Sequence, residues 1–164
     1  MRSKNLIFAL LAFGLTFSWL LLTCFLDFFA VPTIFQQSGD LFEAGRIGGQ
    51  IFFGMNNIEV LVALLVLILS FFVINKVNRA KLVICFLLLI IASTYRFYLS
   101  PKIMYYAEKM ELYANDKIQD KDFDESRELY HNTYIRMDAI KILLLILLLV
   151  YQGRELIYKK GEQQ

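Results

Sequence analysis

Three stretches of this chain, residues 6–26, 60–74 and 82–98, are nearly unbroken runs of apolar side chains. Runs of about 20 such residues match the roughly 30 Å of hydrocarbon that an α-helix crosses in a bilayer. In lipid every backbone N–H and C=O must be paired within the protein, which leaves a helix or a closed barrel. Continuous apolarity without alternation selects the helix. A fourth run, 139–151, reaches the required length when its helix starts near Tyr134. The sequence therefore predicts an all-α fold, a four-helix transmembrane bundle. It forms one integral membrane domain over residues 1–164, with spans at about 6–28, 56–75, 81–99 and 135–153. With 58% hydrophobic and 20% charged residues, the chain carries more apolar surface than a soluble domain could cover.

The first run resembles a signal peptide in its basic start at Arg2 and Lys4 and in the "LLTC" at 21–24. Its length exceeds the usual apolar region of about 7 to 15 residues, which favours a retained span. Orientation follows the cations of the short segments. Arg2 and Lys4, then Lys76, Arg79 and Lys81, then Arg154, Lys159 and Lys160 fall on one side of a four-span bundle. That side is the cytoplasm, so both termini are cytoplasmic. The outer side receives 32–55 and 101–136, where residues 108–128 hold eight acids against four bases. A net charge of only +2 without a basic patch excludes nucleic acid as a natural partner. The lipid bilayer is the expected environment, with a homo-oligomer or a membrane protein as further partners.

Cys24 lies roughly 27 Å up the first span from the cytoplasmic edge and Cys85 only about 6 Å up the third. A disulfide needs Cα atoms within about 7 Å, so the two are expected to stay unpaired as small apolar core residues.

The outer connections carry helical signals. Asp40 followed by Glu43 is a capping-box pattern, and Leu41, Ala44, Ile47, Phe52 and Met55 follow as a stripe, so helix 2 starts outside the membrane at about 39–55. Ile103, Tyr106, Met110 and Tyr113 share a face, extending helix 3 past a bend at Pro101. Asp122 and Glu125 mark the start of a helix that runs into span four, about 30 residues and roughly 45 Å long. Helices 2, 3 and 4 thus project on the outer side, the last two over about 101–134. Gly45, Gly48, Gly49 and Gly54, with a GxxxG spacing at 45 and 49, predict close helix approach at this rim.

Counting from the membrane edges, Asp27, Glu59, Arg96, Asp138 and Lys141 all fall near the outer ends of their spans, with Gln50, Asn56 and Asn57 beside them. Charges among lipid tails cost several kcal/mol, so these groups are expected to turn inward and pair. Two functions follow. The layer is either a water-accessible pocket that binds or passes a small cation or proton, or a network that fixes helix register. In the second case the chain is a structural or assembly subunit, with Tyr105, Tyr106, Tyr113, Tyr130 and Tyr134 on projecting helices as a protein-binding face. Glu128 and His131 form one E-x-x-H pair, a weak metal candidate, because di-iron bundles need that motif twice with further carboxylates. No phosphate loop, nucleophile elbow, CxxC or HExxH is present, so the sequence offers no catalytic residue and calls for no cofactor. An enzyme working on lipid head groups would have only Glu59, Asp138 and His131 as acid/base groups.

Four segments carry a family likeness: "DFFAVPTIF" from Asp27, "AGRIGGQIF" from Ala44, "YLSPKI" at 98–103 and "LYHNTYIRMD" at 129–138. In order and spacing they resemble the transmembrane protein 205 family and its bacterial relatives, grouped as domain of unknown function 4149. Tyr130, His131 and Pro101 match the family motifs, and Asp138 stands where an Asn is common. "STYRF" at 93–97 replaces a segment in which relatives carry an Asn before the proline. The resemblance implies a four-helix integral protein of the bacterial inner (cytoplasmic) membrane, without a settled activity.

Overall fold

The computed structural model describes residues 2–73, 79–116 and 121–161. These fold into α1 (Arg2–Phe25), α2 (Val31–Gln37), α3 (Leu41–Phe72), α4 (Arg79–Thr94), α5 (Ser100–Asp116) and α6 (Lys121–Gly161). Single π-helical turns, Leu26–Ala30 and Tyr95–Leu99, join α1 to α2 and α4 to α5, so the chain forms four rods. Three of them, Leu6–Gln37, Glu43–Phe72 and Arg79–Tyr106, are long and apolar enough to cross a membrane. In α6 the apolar run is bracketed by Asp138 and Lys141 at one end and by Arg154 and Glu155 at the other.

Cross-rod contacts set the arrangement. Phe8 meets Phe72 with ring centroids 5.4 Å apart, and Trp19 meets Glu59, so α1 and α3 run antiparallel. Cys85 reaches Ser70, and Asn56 reaches Ser100, which gives α3 and α4 the same relation. Lys81 pairs with Glu155 and Tyr95 with Tyr134, and Thr16 pairs with Gln152, closing the ring through α6.

Helix continues through both prolines, as the sequence reading expected beyond Pro101. Proline lacks an N–H, and its ring crowds the carbonyl four residues earlier, here Phe28 for Pro32 and Phe97 for Pro101. In each rod a π turn absorbs the conflict just ahead of the ring: Val31 N–H donates to Leu26 O, and Ser100 N–H donates to Tyr95 O. Both turns end two residues before the proline, and both carry site residues, Asp27 in the first and Tyr95 and Arg96 in the second. The first rod therefore continues to Gln37 instead of stopping near residue 28.

Each rod buries one seam whose steps alternate between three and four residues. In α1 it is Ala9, Ala12, Thr16, Trp19 and Thr23; in α3, Asn56, Glu59, Ala63, Val66, Ser70 and Val73. In α4 it is Lys81, Cys85, Leu88, Ala92 and Tyr95; in α6, Tyr134, Asp138, Lys141, Leu145, Leu148 and Gln152. This 3.5-residue repeat is the seam of left-handed coiled coils and four-helix bundles. The outward faces carry large apolar side chains, among them Phe28, Phe29, Leu61, Phe71, Phe97, Leu143 and Leu147. Polar inside and apolar outside is the distribution a lipid solvent selects. The rods then hold together by van der Waals packing and interhelical hydrogen bonds.

The outer projections follow the sequence reading in part. α3 starts at Leu41 directly after Asp40, and Ser38 Oγ donates to Asp40 O at 2.7 Å. α6 begins at Lys121, so Asp122 falls inside its first turn, and the capping position ahead of it lies outside the described residues. At 41 residues α6 spans roughly 60 Å, longer than the 45 Å expected. Ile103 packs in the core beside Tyr134, while Met110 and Tyr113 lie outside the residues whose side chains are described. The glycines do not bring helices into close approach. A methyl added at Gly45 or Gly54 would meet nothing within 4 Å, and at Gly48 and Gly49 only Phe35 at 3.8 Å and Met104 at 3.9 Å. Cys24 and Cys85 are both free.

Truncating a seam leucine should be costly and truncating a lipid-facing one cheap. Leu148→Ala is expected to destabilise the bundle by about 2–5 kcal/mol in reversible unfolding from detergent micelles. Leu147→Ala, one residue back and facing outward, is expected to change it by less than about 0.5 kcal/mol.

Candidate functional site

Glu59 sits on the α3 seam one turn below Asn56, and its depth in the bundle leaves it 1% exposed. One carboxylate oxygen, Oε1, takes three donors from two other rods: Trp19 Nε1 at 2.9 Å, Thr23 Oγ1 at 3.3 Å and Lys141 Nζ at 2.8 Å. Oε2 is buried and accepts no hydrogen bond. Lys141, 2% exposed on α6, also pairs with Asp138 Oδ1 at 2.5 Å, one turn back on its own helix. Its ammonium lies 5.0 Å from the Tyr95 ring centroid, and Tyr95 OH donates to Asp138 Oδ1 at 3.4 Å. Asp27, one turn beyond Thr23 at the start of the first π turn, lies next to the Asp138 carboxyl, and its Oδ2 is a second buried oxygen without a partner.

Three carboxyls thus share one ammonium inside the bundle. An unpaired ion in a medium this poor in water costs several kcal/mol, so a cluster with more acids than bases must hold protons or attract cations. Above it sits a second, neutral layer: Asn56 Nδ2 donates to Ser100 Oγ at 2.5 Å, and Tyr134 OH donates to Asn56 Oδ1 at 3.4 Å. Tyr134 stacks on Tyr95 with centroids 4.5 Å apart and meets Phe52 at 5.4 Å.

Of the residues the sequence singled out, Asp27, Glu59, Asp138 and Lys141 come together, and Asn56 lies one layer above. The others do not join. Arg96 stands over the Phe53 ring at 4.3 Å and donates through Nε to Asn57 Oδ1, an exposed pair on the outside of α3 and α4. Gln50 is exposed. Tyr95 continues the α4 seam from Ala92, and Arg96, one residue on, falls beside that seam. Within the cluster Glu59, Lys141 and Asp138 are buried, while Asp27 is partly exposed. A shallow groove lined by Leu89, Ile90, Ser93, Thr94, Phe97 and Tyr98 runs outside α4 and shares no residue with the cluster.

His131 is exposed, and Glu128 accepts from Asn132 at 3.5 Å. Among the described residues no group of three or more His, Cys, Asp or Glu side chains could hold a metal ion. Tyr130 packs at the rim against Tyr106, 5.5 Å away, and Tyr98, 6.2 Å away. Tyr134 is 9% exposed and is therefore a core residue, not part of a projecting binding face. Pro101 is exposed in the first turn of α5.

The sequence reading missed Trp19, Thr23, Tyr95 and Ser100. Their signal is spacing: Trp19 and Thr23 stand one turn apart on a helix that is otherwise almost wholly apolar. It also took Lys81 as a loop cation, whereas Lys81 is 1% exposed and bonded to Glu155 Oε2 at 2.7 Å. Compared with protein-family models, with curated proteins and with solved structures, the chain returns no match.

Removing the shared ammonium leaves its acids stranded. Lys141→Met is expected to cost about 3–5 kcal/mol in reversible unfolding. Adding Glu59→Gln to it should restore part of that loss, and a double-mutant cycle measures the coupling.

Proposed function

We propose that the chain is a four-span membrane protein with both termini cytoplasmic, whose outer carboxyl cluster takes up and releases a proton. The observation that carries this reading is the excess of acids at one buried spot: Lys141 Nζ lies 2.8 Å from Glu59 and 2.5 Å from Asp138, with Asp27 next to Asp138. One ammonium cannot neutralise three carboxylates, and uncompensated charge away from water is costly, so the cluster favours taking up a proton. The bare oxygens of Asp27 and Glu59 leave further capacity for a second proton or a small cation. Ionisable groups inside a membrane domain mark proton relays and ion paths more often than they mark structure.

Asp27 is the only half-exposed acid of the cluster and provides the way in; Glu59 and Lys141 set its charge. The orientation rests on Arg2, Lys4, Arg79, Arg154, Lys159 and Lys160, all at the bundle end opposite α5. The fourth span is the stretch of α6 at about 135–153, with Asp138 and Lys141 turned into the bundle. The likeness to the transmembrane protein 205 family belongs to this proposal and rests on the order of its four short segments.

A second reading, an assembly subunit, draws on the rim tyrosines: Tyr98 and Tyr105 are half exposed, and Lys109 Nζ lies 5.1 Å from the Tyr105 ring centroid. Stoichiometric recovery of one partner from native membranes would favour it.

Infrared difference spectroscopy of the purified protein across a pH series tests the proton site. The wild type should show the C=O band of a buried protonated carboxyl that titrates, and Asp27→Asn and Asp138→Asn should each remove it. A wild type without a titrating carboxyl band would refute the reading.

A further inference from the structure

Below the carboxyl cluster the seams of α3, α4 and α6 turn wholly apolar. Val66 and Leu88 are 1% exposed, Leu145 and Leu148 0%, and the four belong to one packed core cluster. On α1 the next seam residue below Trp19 is Thr16, whose hydroxyl is committed to Ala12 O at 2.8 Å, and one turn beyond Val66 and Leu88, Cys85 meets Ser70. Gln152, 3% exposed, donates through Nε2 to Thr16 Oγ1 at 3.1 Å, and its Oε1 is buried without a hydrogen bond. Next to it along α6, Glu155 pairs with Lys81 at 2.7 Å. Lys141 and Gln152 are separated by about 16 Å of α6, at about 1.5 Å rise per residue.

A proton moves only along connected hydrogen-bonding groups or water, and water does not occupy a closely packed apolar layer. We infer that Val66, Leu88, Leu145 and Leu148 form a dry plug. The plug keeps the carboxyl cluster in proton exchange with the α5 side of the bundle alone and insulates it from Gln152 and the Lys81–Glu155 pair. The inference rests on the proton-exchange reading and adds its sidedness. The bundle stores or senses a proton from one compartment and does not leak it across, and the open acceptor on Gln152 is where a breach of the plug would connect. Wetting the plug is then enough to make a path, because polar groups already stand at both of its ends.

The test uses the full-length chain in lipid vesicles with a pH-sensitive dye trapped inside and a pH step applied outside. Wild-type vesicles should equilibrate no faster than protein-free ones. Leu148→Ser should speed equilibration on the order of tenfold, as about 1.4 kcal/mol off the barrier would. Val66→Thr, nearly the same shape with one hydroxyl added, should move it in the same direction if Leu148→Ser fails to fold. Adding Asp138→Asn to either should remove the flux. A wild type that conducts as fast as the variants, or two folded variants as tight as the wild type, would overturn the plug. The infrared titration separates the two levels. If the carboxyl band titrates in a wild type whose plug variants stay tight, only the sidedness falls; if no band titrates, the proton reading itself falls.

Discussion

The contact between Lys141 and Glu59 is the constraint on which the rest of this bundle turns. An ammonium and a carboxylate, 2% and 1% exposed, have no solvent to fall back on, and the pair is tolerable only in good geometry with further hydrogen bonds. Trp19 and Thr23 from α1 and Asp138 from α6 supply them, so a single carboxylate oxygen ties the registers of α1, α3 and α6 together. Tyr95, bonded to Asp138 and lying under the Lys141 ammonium, adds α4. All four rods are thereby held at one level. Apolar packing between lipid-exposed helices could not choose that level, because leucine gains little by leaving lipid for another leucine.

The two π turns belong to the same logic. Each sits two residues ahead of a proline and each shifts the helical register once. Tyr95 continues the α4 seam from Ala92, and Asp27 follows Thr23 by one turn, so the turns re-register the residues beyond them, towards Pro32 and Pro101. π turns often occur at functional positions, and here both lie at the depth of the carboxyl cluster.

What the sequence reveals and what it hides divide along physical lines. Length and apolarity locate the rods, because a continuous apolar run in a chain this poor in charge has few other uses. Rotation about each rod is not legible in the same way. When a helix is apolar all round, hydrophobic periodicity has no contrast, and the buried face is marked instead by its Ala, Thr and Ser. In α1, Ala9, Ala12, Thr16 and Thr23 lie buried on the seam, although Gly14 and Ser18 of the same helix are exposed. Counting depth therefore assigns Asp27, Glu59, Asp138 and Lys141 to one layer but cannot send Arg96 and Asn57 to the outside, nor find Tyr95 and Trp19. The glycine spacing near residue 45 misled for a related reason. Small residues permit close approach, but only a partner helix on that face produces it, and none lies against Gly45.

Convergence of the charges on the bundle axis is the central claim. It is tested most directly by solid-state NMR distance measurement in lipid between the Lys141 15Nζ and the Glu59 side-chain 13Cδ. With Nζ and Oε1 2.8 Å apart, a strong dipolar cross-peak is predicted, insensitive to solvent deuteration because the pair is buried. No Lys141–Glu59 cross-peak, with the lysine ammonium exchanging freely with water, would show instead that each charge is solvated on its own.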